Sequence, residues 1–219
     1  MQNTNFLNSL NKMKSTIQAY GYQFDDSCAF DKKGLDQIEC IDNDQLDLIQ
    51  KSMESYTEII SNEIVESESL IDLNVRHLKM FLKMHSLKIS DNFFDNLESD
   101  HIIEVYAKNH QQIYRSVNFF GLSSYGLEAL TFVAWDQLFH RAPGEFEKLF
   151  KIIDTVMSNE LDCISPPDFS HKLIEIKTNS EFKYTLLKAG CVFDEETDGV
   201  MGYVSIIKVR KASHIRLLQ

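Results

Sequence analysis

The apolar positions of this chain change period once, near Ser90-Asp91. Before that point they recur every three or four residues. Phe6, Leu10, Met13, Ile17 and Tyr20 share one helical face, and Gly21 follows as a stop. A second stripe runs Leu46, Ile49, Met53, Tyr56, Ile60, Ile64 and on to Ser67, with Asp44 as its expected N-cap. A third helix is expected over Leu73 to Leu87, burying Val75, Leu78, Phe81 and Leu82. Residues 22–43, acidic and broken by Lys32-Lys33-Gly34, predict a loop or linker. The apolar faces of these helices need a cover, either the second half of the chain or a partner subunit. The pattern does not choose between them.

After Ser90-Asp91 the period shortens to two. HIIEVYA (101–107) and QIYRSV (112–117) predict two strands joined by a tight connection at 108–111. Ser123-Ser124 precede YGLEAL and predict a hydroxyl-capped helix start, continuing helically through Trp135 to Phe139. Pro143-Gly144 then open a helix with Phe146, Leu149, Phe150, Ile153 and Val156 or Met157 on one face. Ser165-Pro166-Pro167-Asp168 forms a loop, and three strands follow at about 171–178, 181–193 and 200–210.

The stretch from Glu181 to Val209 is the most sharply patterned. Phe182, Tyr184 and Leu186 alternate with Lys183 and Thr185, so one face of that strand is buried. Val200 to Val209 is apolar on both faces and predicts a central strand. The connector from Asp194 to Gly199 suits a hairpin turn, with glycine supplying a positive φ. The expected class is α+β: N-terminal helices over 1–90, an antiparallel five-stranded sheet with helices on one face over 91–212, and a short basic tail at 213–219.

Composition narrows the setting. With 219 residues, 43% of them hydrophobic, the chain can bury a core. No apolar run reaches the roughly 18 residues of a membrane span, and the opening MQNTNFLNSLNK is too polar for a secretory signal. A cytoplasmic protein is expected, with Cys28, Cys40, Cys163 and Cys191 as free thiols. The net charge of −11 lies entirely within residues 22–72, which hold 14 acidic and 3 basic residues. Only Lys208, Arg210, Lys211 and Arg216 cluster positive charge, so direct nucleic-acid binding is not expected.

Catalytic signatures are missing from the pattern. The seven histidines make no H-E-x-x-H and no zinc spacing with cysteine. Gly121 to Gly126 has the glycine spacing of a phosphate loop but lacks the following Lys-Ser or Lys-Thr. No G-x-S-x-G elbow or S-x-x-K pair occurs. Acidic pairs such as Asp25-Asp26 and Glu195-Glu196 fall in expected loops, where they are solvated. The expectation is a protein that is not an enzyme, with no metal site; His140 is the nearest candidate for a haem ligand, and no cofactor is named.

Two strands, short helices, one longer helix and a three-stranded meander are the element order of a PAS domain. Ser124-Tyr125-Gly126-Leu127-Glu128-Ala129-Leu130 resembles the Gly-Tyr-x-x-Glu-Glu-Leu helix of that family, with Tyr and Gly exchanged. Asp198-Gly199-Val200-Met201-Gly202-Tyr203 resembles its last hairpin. The resemblance covers about residues 95–210 and extends to the sensory halves of bacterial LuxR-type regulators, without their helix-turn-helix part. It implies a sensory module that binds a small ligand or a protein partner and regulates a downstream process, with transcription as one such process, and whose N-terminal helices serve a homodimer. The space under the helices would be the pocket, with Tyr125, Phe132, Trp135, Phe139, Phe150 and Tyr184 as its residues, alongside Phe146. The competing expectations are a filled aromatic core and an adaptor or host-directed effector that works through its acidic N-terminal region.

Overall fold

The computed structural model describes residues 2–24, 41–61, 69–133, 135–167 and 169–212. Expectations that rest on Cys28, Cys40, Ile64, Ser67, Lys32 to Gly34 and the 213–219 tail lie outside these residues.

Three helices come first. Helix α1 (Gln2–Ala19) buries Phe6, Leu10, Met13 and Ile17, and the chain turns at Gly21 with φ +96°. Helix α2 (Asn43–Ser61) is capped by Asp42, whose Oδ1 accepts from the Gln45 N–H at 2.8 Å. The cap is thus two residues earlier than the expected Asp44. Helix α3 (Leu70–Met84) starts at Ser69, whose hydroxyl accepts from the Asp72 N–H. It ends before Leu87, because Leu87 and Lys88 form strand β1 instead.

The sheet is antiparallel throughout. Strands β2 (His101–Ala107) and β3 (Gln112–Arg115) form a hairpin. Short helices α4 (Leu127–Phe132) and α5 (Trp135–Leu138) follow, then strand β4 (Phe139–Arg141) and helix α6 (Glu145–Ser158). Strands β5 (Ser170–Glu175), β6 (Glu181–Asp194) and β7 (Val200–Lys211) complete the chain as a meander. The order across the sheet is β3-β2-β7-β6-β5-β4, and β1 pairs with the far end of β6. Strand β7 lies between β2 and β6, the central position that its two apolar faces require.

Four expectations are corrected here. The sheet has seven strands rather than five, because β1 and β4 add to it. Phe139 therefore belongs to a strand, and the helix ends at Leu138. In the β6–β7 turn the positive φ falls on Asp198, at +58°, rather than on Gly199. Asp194 organises that turn: its Oδ1 accepts from the Thr197 N–H at 2.8 Å, from the Thr197 hydroxyl and from the Glu196 N–H. Finally, helices cover both faces of the sheet rather than one.

The second cover follows from the strands themselves. One face carries Ile102, Glu104 and Tyr106 of β2 opposite Ile207, Ser205 and Tyr203 of β7. The other carries Ile103 and Val105 opposite Ile206 and Val204, all buried to 1% exposure or less. An apolar face cannot stay wet at about 25 cal/mol per Å². The N-terminal helices close it: Tyr56 of α2 and Phe81 of α3 both pack on Tyr114 of β3, at 5.6 and 5.0 Å between ring centroids. The stripes of α1 and α2 join the same continuous core as the sheet. Those residues are therefore consumed within the chain and are not available to a second copy. No described helix is long and apolar enough to cross a membrane.

Candidate ligand-binding slot

The face bearing Glu104 is roofed by the segment between β3 and β5. Ile153 and Val156 of α6 pack on Ala189, Cys191 and Tyr203 and anchor the helix on β6 and β7. Toward its N-terminal end, α6 stands off the sheet. There it leaves a slot of about 100 Å³. The roof is Phe146, Leu149 and Phe150, the floor Tyr184, Leu186 and Tyr203, and the inner end Glu104, Tyr106, Ser205 and Trp135.

The inner end holds a buried ion pair. Arg115 Nε donates to Glu104 Oε1 at 3.0 Å, and the two residues are 4% and 3% exposed. The same carboxylate accepts from Gln112 Nε2 and from the Tyr106 hydroxyl, both at 3.1 Å. The Arg115 guanidinium lies 3.8 Å from the Phe119 ring centroid and 4.7 Å from that of Trp135, stacking against both. Its Nη2 is buried without a hydrogen-bond partner among the described residues. A buried pair of this kind gains net stability only where further hydrogen bonds satisfy the remaining donors and lone pairs.

The mouth holds a second guanidinium. Arg141 on β4 lies over Tyr184 at 5.3 Å and over Phe146 at 5.8 Å, spanning floor and roof. Its Nε donates to His171 Nε2 at 3.0 Å. Burial, and next the Arg141 charge, push the His171 pKa down to about 4, so the ring is neutral and accepts at Nε2. Its proton then sits on Nδ1, 3.9 Å from Glu145 Oε2. Among the described residues no carboxylate comes within ion-pair distance of Arg141.

At the opposite end His110 closes the slot. Its Nδ1 lies 3.4 Å from the Tyr203 hydroxyl, and its ring meets Phe150 edge to face at 4.9 Å. Tyr203 in turn stacks on Tyr106 at 4.8 Å. Burial, and next the Glu104 charge, raise the pKa values of Tyr106, Tyr184 and Tyr203, so all three phenols keep their protons near neutral pH.

The structure sorts the seven aromatic candidates. Trp135, Phe146, Phe150 and Tyr184 line the slot. Phe139 lines a smaller, apolar cavity of about 20 Å³ on the other side of Trp135 and Tyr184. Phe132 packs instead on Phe6 of α1, at 5.2 Å. Tyr125 touches Phe139 edge-on, while its hydroxyl donates to the Leu138 carbonyl at 2.9 Å and accepts from the Lys177 N–H. Neither Phe132 nor Tyr125 is among the residues lining the slot. Ser123 and Ser124, expected to cap a helix, donate their hydroxyls to the buried Glu175 carboxylate, and the cap position falls to Gly126.

Glu104, Arg115 and Arg141 were not singled out by the sequence, although a signal for two of them existed. Glu104 shares a period-two face with Ile102 and Tyr106, and Arg115 shares one with Ile113. A charge on a buried face calls for a partner of opposite sign. Elsewhere, Glu98, Asp100 and His101 bring ligand atoms within 4.8 Å of one another. The Lys208 ammonium sits among them, 2.6 Å from Glu98 and 2.9 Å from Asp100, and Arg210 pairs with Asp100. Lys208 and Arg210 of the last strand are thereby paired with carboxylates. Cys163 and Cys191 are free, and burial raises both thiol pKa values, which makes them weak nucleophiles.

Comparison with protein-family models and with curated proteins finds no match to this chain.

Proposed function

We propose that this chain is a non-enzymatic, PAS-like sensory module that binds a small molecule in the slot beneath α6 and so regulates a downstream process. The slot carries the reading: it is mostly aromatic, with a few convergent polar groups, and it opens on one sheet face under a helix. The strand order β3-β2-β7-β6-β5 supports the same reading, since a hairpin inserted beside the last strand of a meander is the arrangement a PAS domain uses.

Binding rather than turnover fits the state of the polar groups. The Glu104 carboxylate is occupied by three donors, and the neighbouring tyrosines are protonated. A general base needs a free lone pair facing the substrate.

The test is native mass spectrometry of the purified chain for a co-purifying small molecule, joined to thermal melts against a metabolite panel. A bound ligand raises stability by RT ln(1 + [L]/Kd). The Leu149→Trp variant fills the slot from the roof and should abolish both signals. A chain that is ligand-free, and whose melting no compound shifts, would defeat the proposal.

A further inference from the structure

Building on that ligand-binding reading, we infer that the slot selects a small aromatic carboxylate, its ring held between α6 and the sheet and its carboxylate on Arg141. Three observations lead there. Two of the slot's walls are apolar: Phe146 and Phe150 from α6, Tyr184 and Leu186 from β6. Their spacing leaves about 100 Å³, the same order as the cavity of about 150 Å³ that admits benzene. A single ring fills such a space, whereas a nucleotide or a long acyl chain does not.

The charge balance supplies the second half. The Glu104 and Arg115 charges cancel each other at the inner end. Arg141 does not share in that pair, and among the described residues no carboxylate pairs with it, so its positive charge at the mouth is open to a ligand. A guanidinium presents a planar fork of donors that matches a carboxylate. With Nε committed to His171, no described residue hydrogen-bonds the two Nη groups, which are left for a ligand.

His171 is the positioning residue in this scheme. It sits on β5 beside β4, and its neutral ring fixes the Arg141 side chain across the mouth. A lysine at 141 would keep the charge and lose the fork.

Calorimetric titration of the full chain with benzoate and with benzyl alcohol tests this, with the fluorescence of Trp135, the single tryptophan, as a second readout. Wild type should bind benzoate at least about tenfold tighter than benzyl alcohol. Arg141→Ala should erase that preference, bringing the ratio of the two affinities to about one, and Arg141→Lys should keep only part of it. Arg141→Gln serves as a second variant if the alanine form does not fold. Equal affinity for the two probes, or benzoate binding unaffected in both the alanine and glutamine variants, overturns the inference and leaves the ligand-binding reading standing. No binding of either probe to wild type also overturns it, and the broader reading is then decided by the co-purification result.

Discussion

Cutting the Glu104–Arg115 pair tests whether the inner end of the slot is as dry as its geometry requires. Replacing Glu104 by Ala removes the carboxylate 3.0 Å from Arg115 Nε. The guanidinium stays 4% exposed, wedged between Phe119 and Trp135, with Nη2 already lacking a partner among the described residues. Removing one member of a buried pair costs about 3–5 kcal/mol, because the remaining charge has no compensation. Against a total stability of about 5–15 kcal/mol this is a large loss. Replacing both residues, as Glu104→Leu with Arg115→Met, should cost about 1 kcal/mol or less, since two desolvation penalties disappear with the attraction. The assay is urea denaturation followed by far-UV circular dichroism, with Glu104→Leu and Arg115→Met as single variants and their double closing a thermodynamic cycle. The Glu104→Ala form should also shift Trp135 emission as the guanidinium moves off the ring. If Glu104→Ala costs under about 1 kcal/mol, water reaches the pair. The account of a desolvated inner end is then wrong.

Further outcomes follow from other buried groups. Gly202 on β7 approaches the Tyr106 backbone so closely that a Cβ would lie 2.0 Å from its carbonyl oxygen. Gly202→Ala should therefore cost about 3 kcal/mol or prevent folding, read from urea midpoints. Tyr56 is buried with its hydroxyl unpartnered among the described residues. Tyr56→Phe should leave stability unchanged or raise it by about 1 kcal/mol by thermal melt, since an unpaired buried hydroxyl is a cost. Burial, with the Arg76 and Arg141 charges second in each case, depresses the pKa values of His77 and His171 to about 4. The unfolded chain thus binds more protons than the folded one between about pH 6.5 and 4. The histidine contribution to stability should fall across that window as pH drops. His77→Gln should flatten part of the slope in denaturation measured at stepped pH, and an unchanged slope would contradict the assignment.

The helices and strands were legible because their causes are local. Phe6, Leu10, Met13 and Ile17 lie on one face in any helix, whatever that helix later meets. The same holds for Phe182, Tyr184 and Leu186 in β6. Strands at 101–107, 112–115 and 200–211 emerged close to their expected limits for this reason. The short strands were not legible. Leu87-Lys88 and Phe139 to Arg141 have too few residues to express a period, and they are strands only because β6 and β5 offer free edges there. Of the slot, the aromatic residues of the roof could be read from the helical face of α6, while the charges could not.

What the sequence by itself determined is therefore the longer helices and strands, the faces they must bury and the central place of β7. Tertiary structure alone decided which surfaces met. It put α2 and α3 against the second face of the sheet, turned Phe132 and Tyr125 away from the slot, and paired Glu104 with Arg115 while leaving Arg141 at the mouth. The physical reason is range. Periodicity is enforced by backbone geometry within a few residues, but the partner of a buried charge is set by the packing of segments distant in the chain, and no pattern of neighbours records it.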